Sequence, residues 1–400
     1  MFSLLQQLRK PFRSICLGLF ALAFALTIFI GQHSAAKAFV RNQEIRGVWM
    51  TTNDTAVMRD HQKLTQAIQK LRELNFNTIY PVVWNSGYAL YPSYTAQKEG
   101  FQPFIRKGLQ GQDILADTIY QAHRNGLTAI PWFEFGFMTP PTSELATQHP
   151  DWLTQKKDGT KTWVGAAGEV VWLNPFKPEV QNLITSLVLE VVTQYDADGI
   201  QFDDHMSLPY EFGYDSYTKA LYTKETKKPV PSNPHDPSWV KWRADKLTAF
   251  MTHLNKAVKA QKATAIFSVS PNPYEYAYKA SLQDWLTWLR KDLIDELVVQ
   301  VYRPDLRSFD KQLIQPEIQE ARKKIPTGVG ILTGLRTKPV DMNFIQTKVQ
   351  TARYRKLGVS FFFYESLWNI APESPEYRQA RFRALFRTPA PRTGLFQAQQ

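Results

Sequence analysis

Eight times along this chain a short apolar run gives way to an amphipathic helical pattern, with no linker-like break in the series. Apolar strands without alternation belong to sheets buried on both faces, and helices between them imply parallel strands joined by crossovers. The runs are Arg46–Met50, Phe76–Trp84, Thr128–Phe133, the middle of Tyr195–Met206, Ala265–Val269, Leu297–Tyr302, Thr327–Leu332 and Val359–Glu365. The helical segments repeat their apolar residues at 3.6-residue spacing, as in Leu64, Ala67, Ile68, Leu71 and Leu74. Pro178 stands where a helix tolerates proline, at its start, while Asn125-Gly126 and Gly358 end helices. Eight such units predict an α/β chain closed into a (β/α)8 TIM barrel. An open doubly wound sheet fits less well, because no Gly-x-Gly-x-x-Gly follows the first strand.

Three connections are too long to be simple turns, those after strands two, three and four. The first runs from Asn85 to about Gly111. The second, Phe135 to Pro178, carries Trp152, Trp163 and Trp172; the third, Ser207 to Ser238, is proline-rich. Long aromatic loops on a rigid barrel are where binding residues are expected.

The start of the chain speaks to location. Arg9, Lys10 and Arg13 precede Ile15–Ile30, sixteen residues without a charge, and Ala36-Lys37-Ala38 has the form of a cleavage site. This predicts a secretory signal peptide over 1–38, a barrel domain over 39–388 and a flexible tail over 389–400. The protein is then periplasmic or secreted, touching the membrane only through its leader. An uncleaved inner-membrane anchor is the alternative, although the apolar run is short for a span. The sole cysteine, Cys16, lies in that run, so the body has no disulfide or thiolate chemistry. The net charge of +12 favours polyanionic surroundings such as an envelope polymer. The basic residues are scattered and no nucleic-acid motif is present, which argues against a nucleic-acid partner.

A barrel brings the C-terminal ends of its strands to one mouth. The stretch YDADGIQFDDHM delivers Asp203, Asp204 and His205 there, and strand alternation turns Asp203 the same way as Gln201. Buried unpaired charge is costly, so such a strand end needs a purpose or a partner. Glu134 and Glu365 end strands three and eight. Trp84, Asn85, Trp132, Asn272, Tyr274, Tyr302 and Arg303 complete the expected rim. Carboxyls from separate strands within an aromatic rim suit glycosidic-bond hydrolysis, where one donates a proton and another attacks or activates water. Asp203, Glu134 and Glu365 are therefore the catalytic candidates and the others the substrate-binding set. Asp204, of opposite parity, is expected to orient. Asp198 is expected to make a turn, Glu275 is a weaker acid, and Arg46 could pair with one of the acids. Asp203, Asp204, His205 and His123 could also be metal ligands. Yet His123 belongs to a helix ahead of strand three, and neither His-Glu-x-x-His spacing nor a ligand cysteine exists, so no metal or cofactor is expected.

Seven segments carry a family likeness: RGVWMT (46–51), NFNTIYPVVWNSGYALYPS (75–93), GLTAIPWFEFGF (126–137), VWLNPFKPEV (171–180), YDADGIQFDDH (195–205), FSVSPNPYEYAY (267–278) and LVVQVYR (297–303). With them the chain resembles the bacterial glycosyl-hydrolase-like 10 family of extracytoplasmic TIM barrels. The resemblance implies a polysaccharide partner, since some members are similar to enzymes that cleave peptidoglycan glycan strands. Asp198–Asp203 also resembles the fourth strand of α-amylase-type barrels, departing at Gln201, where arginine is usual. It is similar to the chitinase-like pattern too, but Gln201 replaces an aspartate and His205 stands where the catalytic glutamate would be. The acid must then come from another strand. The expectation is an exported hydrolase of a β-linked, amino-sugar-containing glycan, with Asp203 as nucleophile or base, Glu134 as proton donor and Glu365 its competitor. The alternative is an envelope protein that binds glycan without cleaving it.

Overall fold

The computed structural model describes residues 44–98, 111–165, 168–390 and 392; the expected leader lies outside them. No helix among these residues is long and apolar enough to cross a membrane. The parallel strands are β1 (Arg46–Met50), β2 (Thr78–Pro81), β3 in two pieces (Thr128–Ala129 and Trp132–Phe133), β4 (Gly199–Asp203), β5 (Ile266–Ser270), β6 (Glu296–Gln300), β7 (Thr327–Leu332) and β8 (Gly358–Phe362). The pieces of β3 sit at opposite ends of the hydrogen-bonding order, Thr128–Ala129 on β2 and Trp132–Phe133 on β4. Because both pieces belong to one stretch, the sheet closes into an eight-stranded barrel. Pro131 explains the break, having no N–H to give to a ladder. A bridge between Val82 and Trp132 carries the pairing across it.

Helices such as His61–Glu73, Pro178–Gln194 and Pro237–Gln261 pack their apolar stripes on the outside of this ring. The inside is a layered core. Trp49 stacks on Tyr80 at 5.5 Å and tilts against Trp132 and Phe362 at 6.3 Å each. Gly47 makes room for this layer, since a β-carbon there would lie 2.6 Å from the Tyr80 ring. A polar chain threads the same interior. The Trp49 indole donates to Gln201 Oε1 (2.6 Å), the Gln201 amide to Ser268 Oγ (2.9 Å), and Ser268 and Tyr80 hydroxyls both to Glu296 Oε1 (2.8 Å each). The other Glu296 oxygen is paired with Arg392, whose guanidinium also donates to Thr78 Oγ1 at 2.8 Å. The tail expected to be flexible from residue 389 thus supplies a cation to the bottom of the barrel, where a fully buried carboxylate requires one.

The strands β2 and β8 stop short of the ends of their apolar runs. After β2 the chain turns aside, and Trp84–Asn85 pairs antiparallel with Tyr88–Ala89. After β8, Tyr364–Trp368 is a short helix. The connection after β3 builds its own antiparallel sheet from Met138–Thr139, Gly168–Trp172 and Thr162–Gly165. The connection after β4 includes the helix Ser216–Thr226.

Candidate active site

β3 and β4 pair Trp132 with Gln201 and Phe133 with Phe202. One step further along this register Glu134 stands beside Asp203, and both share the inward parity of Trp132 and Gln201. Asn85, on the hairpin after β2, donates its amide to Glu134 Oε2 at 2.6 Å. On the other side, Asp204 accepts from Asn272 at 2.9 Å through one oxygen and from Gln300 at 2.8 Å through the other. The ends of five consecutive strands, β2 to β6, therefore converge here.

His205 completes the group. Its Nδ1 faces two acceptors, the Glu134 carbonyl at 2.8 Å and Asp203 Oδ1 at 3.0 Å, so Nδ1 carries a proton in either charge state. The His205 backbone N–H donates to the same Asp203 oxygen at 2.9 Å. Burial pushes the Asp203 carboxyl up, to about 6, although His205 beside it pulls the other way. Burial would lower the His205 imidazole, but the Asp203 and Asp204 carboxylates outweigh it and hold it well above its ordinary range. Tyr302 is pushed far up by burial, then by Asp204, Asp203 and Glu134, and stays a neutral donor among three acids. Asp203 is nearly inaccessible, with 3 % of its surface exposed, while Asp204 is half-buried. The Gln283 amide donates to the Asp203 and Met206 carbonyls and holds the turn in place.

The expected site residues divide on this geometry. Asp203, Asp204, His205, Glu134, Asn85, Asn272 and Tyr302 are brought together. Trp84 and Trp132 are not rim residues. Trp84 is sealed in the core with its indole donating to the Gly136 carbonyl (3.0 Å), and Trp132 lies in the barrel layer with Trp49 and Phe362. Tyr274 turns to the flank, its hydroxyl donating to Asp284 at 2.9 Å. Arg303 follows Tyr302, and its carbonyl accepts from the buried Lys348 at 2.7 Å. Glu365 sits in the first turn of its short helix, facing Arg336 at 3.5 Å, and its N–H donates to Asp54 at 2.8 Å. Asp198 makes the expected turn, accepting from the Ala129 N–H at 2.6 Å and binding His123 at 3.0 Å. Arg46 pairs with Glu44 and the Thr388 carbonyl.

Gln300 and Asp54 were not among the expected residues. Gln300 interrupts the otherwise apolar run Leu297–Val301, and that polar residue was the available signal. Asp54 follows β1 in a turn that reads as an ordinary cap; burial pushes its carboxyl up to about 7. Asp203, Asp204 and His205 can offer one ligand atom each within 4.8 Å of one another. Their arrangement is nonetheless that of a hydrogen-bonded cluster, since Nδ1 faces two acceptors and both Asp204 oxygens hold amides.

Barrel and acidic mouth together define a glycoside hydrolase-like protein. The sequence pattern described as Glycosyl hydrolase-like 10 matches residues 44–352, and the chain belongs to that family. Glycosyl hydrolase DigH of Escherichia coli (strain K12) is 27% identical over 307 residues, covering 67% of each chain. Glycosyl hydrolase YngK of Bacillus subtilis (strain 168) is 23% identical over 316 residues, covering 70% of this chain and 59% of its own. Among solved structures, the PgaB (BpsB) glycoside hydrolase domain of Bordetella bronchiseptica superposes with a TM-score of 0.63 at 14% identity, covering 83% of this chain and 99% of that one. The catalytic domain of a Paenibacillus polymyxa β-amylase gives 0.57 at 9% identity, covering 85% and 98%. These two likenesses establish the TIM-barrel fold.

Proposed function

We propose that this protein is an exported glycoside hydrolase that cleaves an amino-sugar-containing envelope glycan such as a peptidoglycan strand. The observation that carries the reading is the convergence of Glu134, Asp203 and Asp204 from adjacent strand ends at the mouth, with Asp204 fixed by two amides. The family membership and the relatives named glycosyl hydrolases support the reaction class, and the leader-like residues 1–38 support export.

Burial exchanges the roles expected for the two aspartates. Asp204, more accessible and held from both sides, is the carboxylate that meets the anomeric carbon or its attacking water. Glu134, steered by Asn85, donates the proton to the leaving oxygen. Asp203 and His205 form the charged pair beneath them. Tyr302 keeps its proton and can donate to the sugar. The test is release of reducing ends from purified peptidoglycan glycan strands and chito-oligosaccharides by wild type, D204N, D203N and E134Q. Loss of turnover in D204N and E134Q is expected; wild-type turnover in all three variants would sink the assignment. Glycan binding without turnover by the wild type would leave a binding protein instead.

A further inference from the structure

We propose that the cleft between the helix Tyr274–Ser281 and the helices Leu306–Leu313 and Pro316–Lys324 is a second saccharide site, which holds the glycan beyond the catalytic mouth. The proposal rests on the reading of the protein as a glycan-binding hydrolase and adds a site outside its acidic mouth.

The cleft has a volume of 370 Å³. That lies within the range of small-ligand sites, roughly 300–1,000 Å³. One wall is aromatic and rigid. Tyr274 and Tyr278, one helical turn apart, stack at 5.9 Å and 23°. Trp285 braces Tyr274 edge-on at 5.2 Å. The Tyr274 hydroxyl is tied to Asp284, so the wall needs little ordering when a ligand arrives. The facing wall carries Lys311, Gln312, Gln315 and Glu317. Flat aromatic faces opposite amide and carboxyl groups match a pyranose ring, which has apolar faces and an equator of hydroxyls. A phosphate ligand would call for a cluster of cations, yet Lys279 is already paired with Glu275 at 2.9 Å.

Continuity with the mouth identifies the occupant. Asn272 gives its side-chain amide to Asp204, and its carbonyl accepts the Trp285 indole N–H at 3.1 Å. The next residue, Pro273, already lines the cleft. A single residue therefore separates the acidic centre from the aromatic wall, and a chain leaving the mouth on the β5–β6 side passes over it. The occupant is a further segment of the same amino-sugar glycan, not an unrelated small molecule.

The experiment compares the full-length protein with Y278A and the double variant Q312A/Q315A, each checked for an unchanged thermal midpoint. Binding to glycan strands is read by co-sedimentation with insoluble sacculi, and turnover on long strands and on the shortest cleavable oligosaccharide. Both variants are expected to lose at least fivefold in sacculus binding and to raise KM on long strands similarly, with kcat and short-substrate kinetics unchanged. Wild-type binding in both variants would overturn the cleft assignment, as would equal losses on short and long substrates. Should the wild type bind sacculi without cleaving them, the catalytic reading fails while the binding comparison still decides the cleft.

Discussion

Arg392 offers a sharp test of how this barrel is held closed. Its guanidinium has 3 % of its side chain exposed and pairs with Glu296, which has none. Glu296 also accepts from Tyr80 and Ser268, so its acceptor capacity is used by groups that stay in place when Arg392 is removed. R392A therefore leaves a buried carboxylate without its cation, a change that typically destabilises by about 3–5 kcal/mol. For a domain of this size that lowers the thermal midpoint by on the order of 5–10 °C. Stopping the chain at residue 391 should do the same. E296Q in the R392A background removes the stranded charge but keeps an oxygen for Tyr80 and Ser268, and should recover more than half the loss. Thermal and urea unfolding of wild type, R392A, E296Q and R392A/E296Q give the double-mutant cycle. A midpoint within a degree of wild type for R392A, or no rescue by E296Q, would refute the reasoning.

Removing His205 takes away the charge that opposes Asp203's upward shift, so H205A should move the acidic limb of the pH–activity profile to higher pH by at least about one unit; an unmoved limb counts against the pairing. Q300A and N272A each delete one donor to Asp204 and should lower kcat about 10- to 100-fold, the worth of a hydrogen bond to a charged group, with little change in KM. Steady-state kinetics on a soluble glycan decides this, and a pure KM effect would contradict it. Asp54 is raised on folding, so the folded state holds its proton more tightly and stability falls as pH climbs from about 4 to 7. Urea unfolding across that window should show a slope in the wild type, worth up to about 4 kcal/mol in total, that D54N lacks.

The barrel was legible because its signal is periodic. Each run of β-branched and aromatic residues had to be buried on two faces, and each following helix displayed one apolar stripe. What escaped reading were places where a residue's fate depends on a distant partner. Trp84 looked like the end of a strand, yet the hairpin with Tyr88–Ala89 folds it under Gly136. Nothing in the polar tail announces that Arg392 answers Glu296, 96 residues away and on the inside of the ring.

The mouth shows the same division at the scale of single atoms. Parity turned Asp203 the same way as Gln201, and the register of β3 on β4 sets Glu134 beside it. Parity could not say which of two adjacent aspartates would be smothered, because that depends on what lies over the strand end. Here His205 folds back and takes the inner carboxylate, while Asn272 and Gln300 reach from the next two strands to hold the outer one. Gln201 is explained by the same packing. An arginine or aspartate at that inward position would need a countercharge, whereas the amide donates to Ser268 and accepts from Trp49 at once. Departures at Gln201 and His205 from two better-known barrel patterns are thus one substitution of logic. Neutral hydrogen bonds join Trp49, Gln201 and Ser268 on the strand below the acids, and an imidazolium supports the acids from beside them. Q201R and Q201E each put a charge where neutral hydrogen bonds are built in, and each loses one of the two bonds the amide makes, so both should lower the unfolding midpoint. A wild-type midpoint in either variant would break the argument.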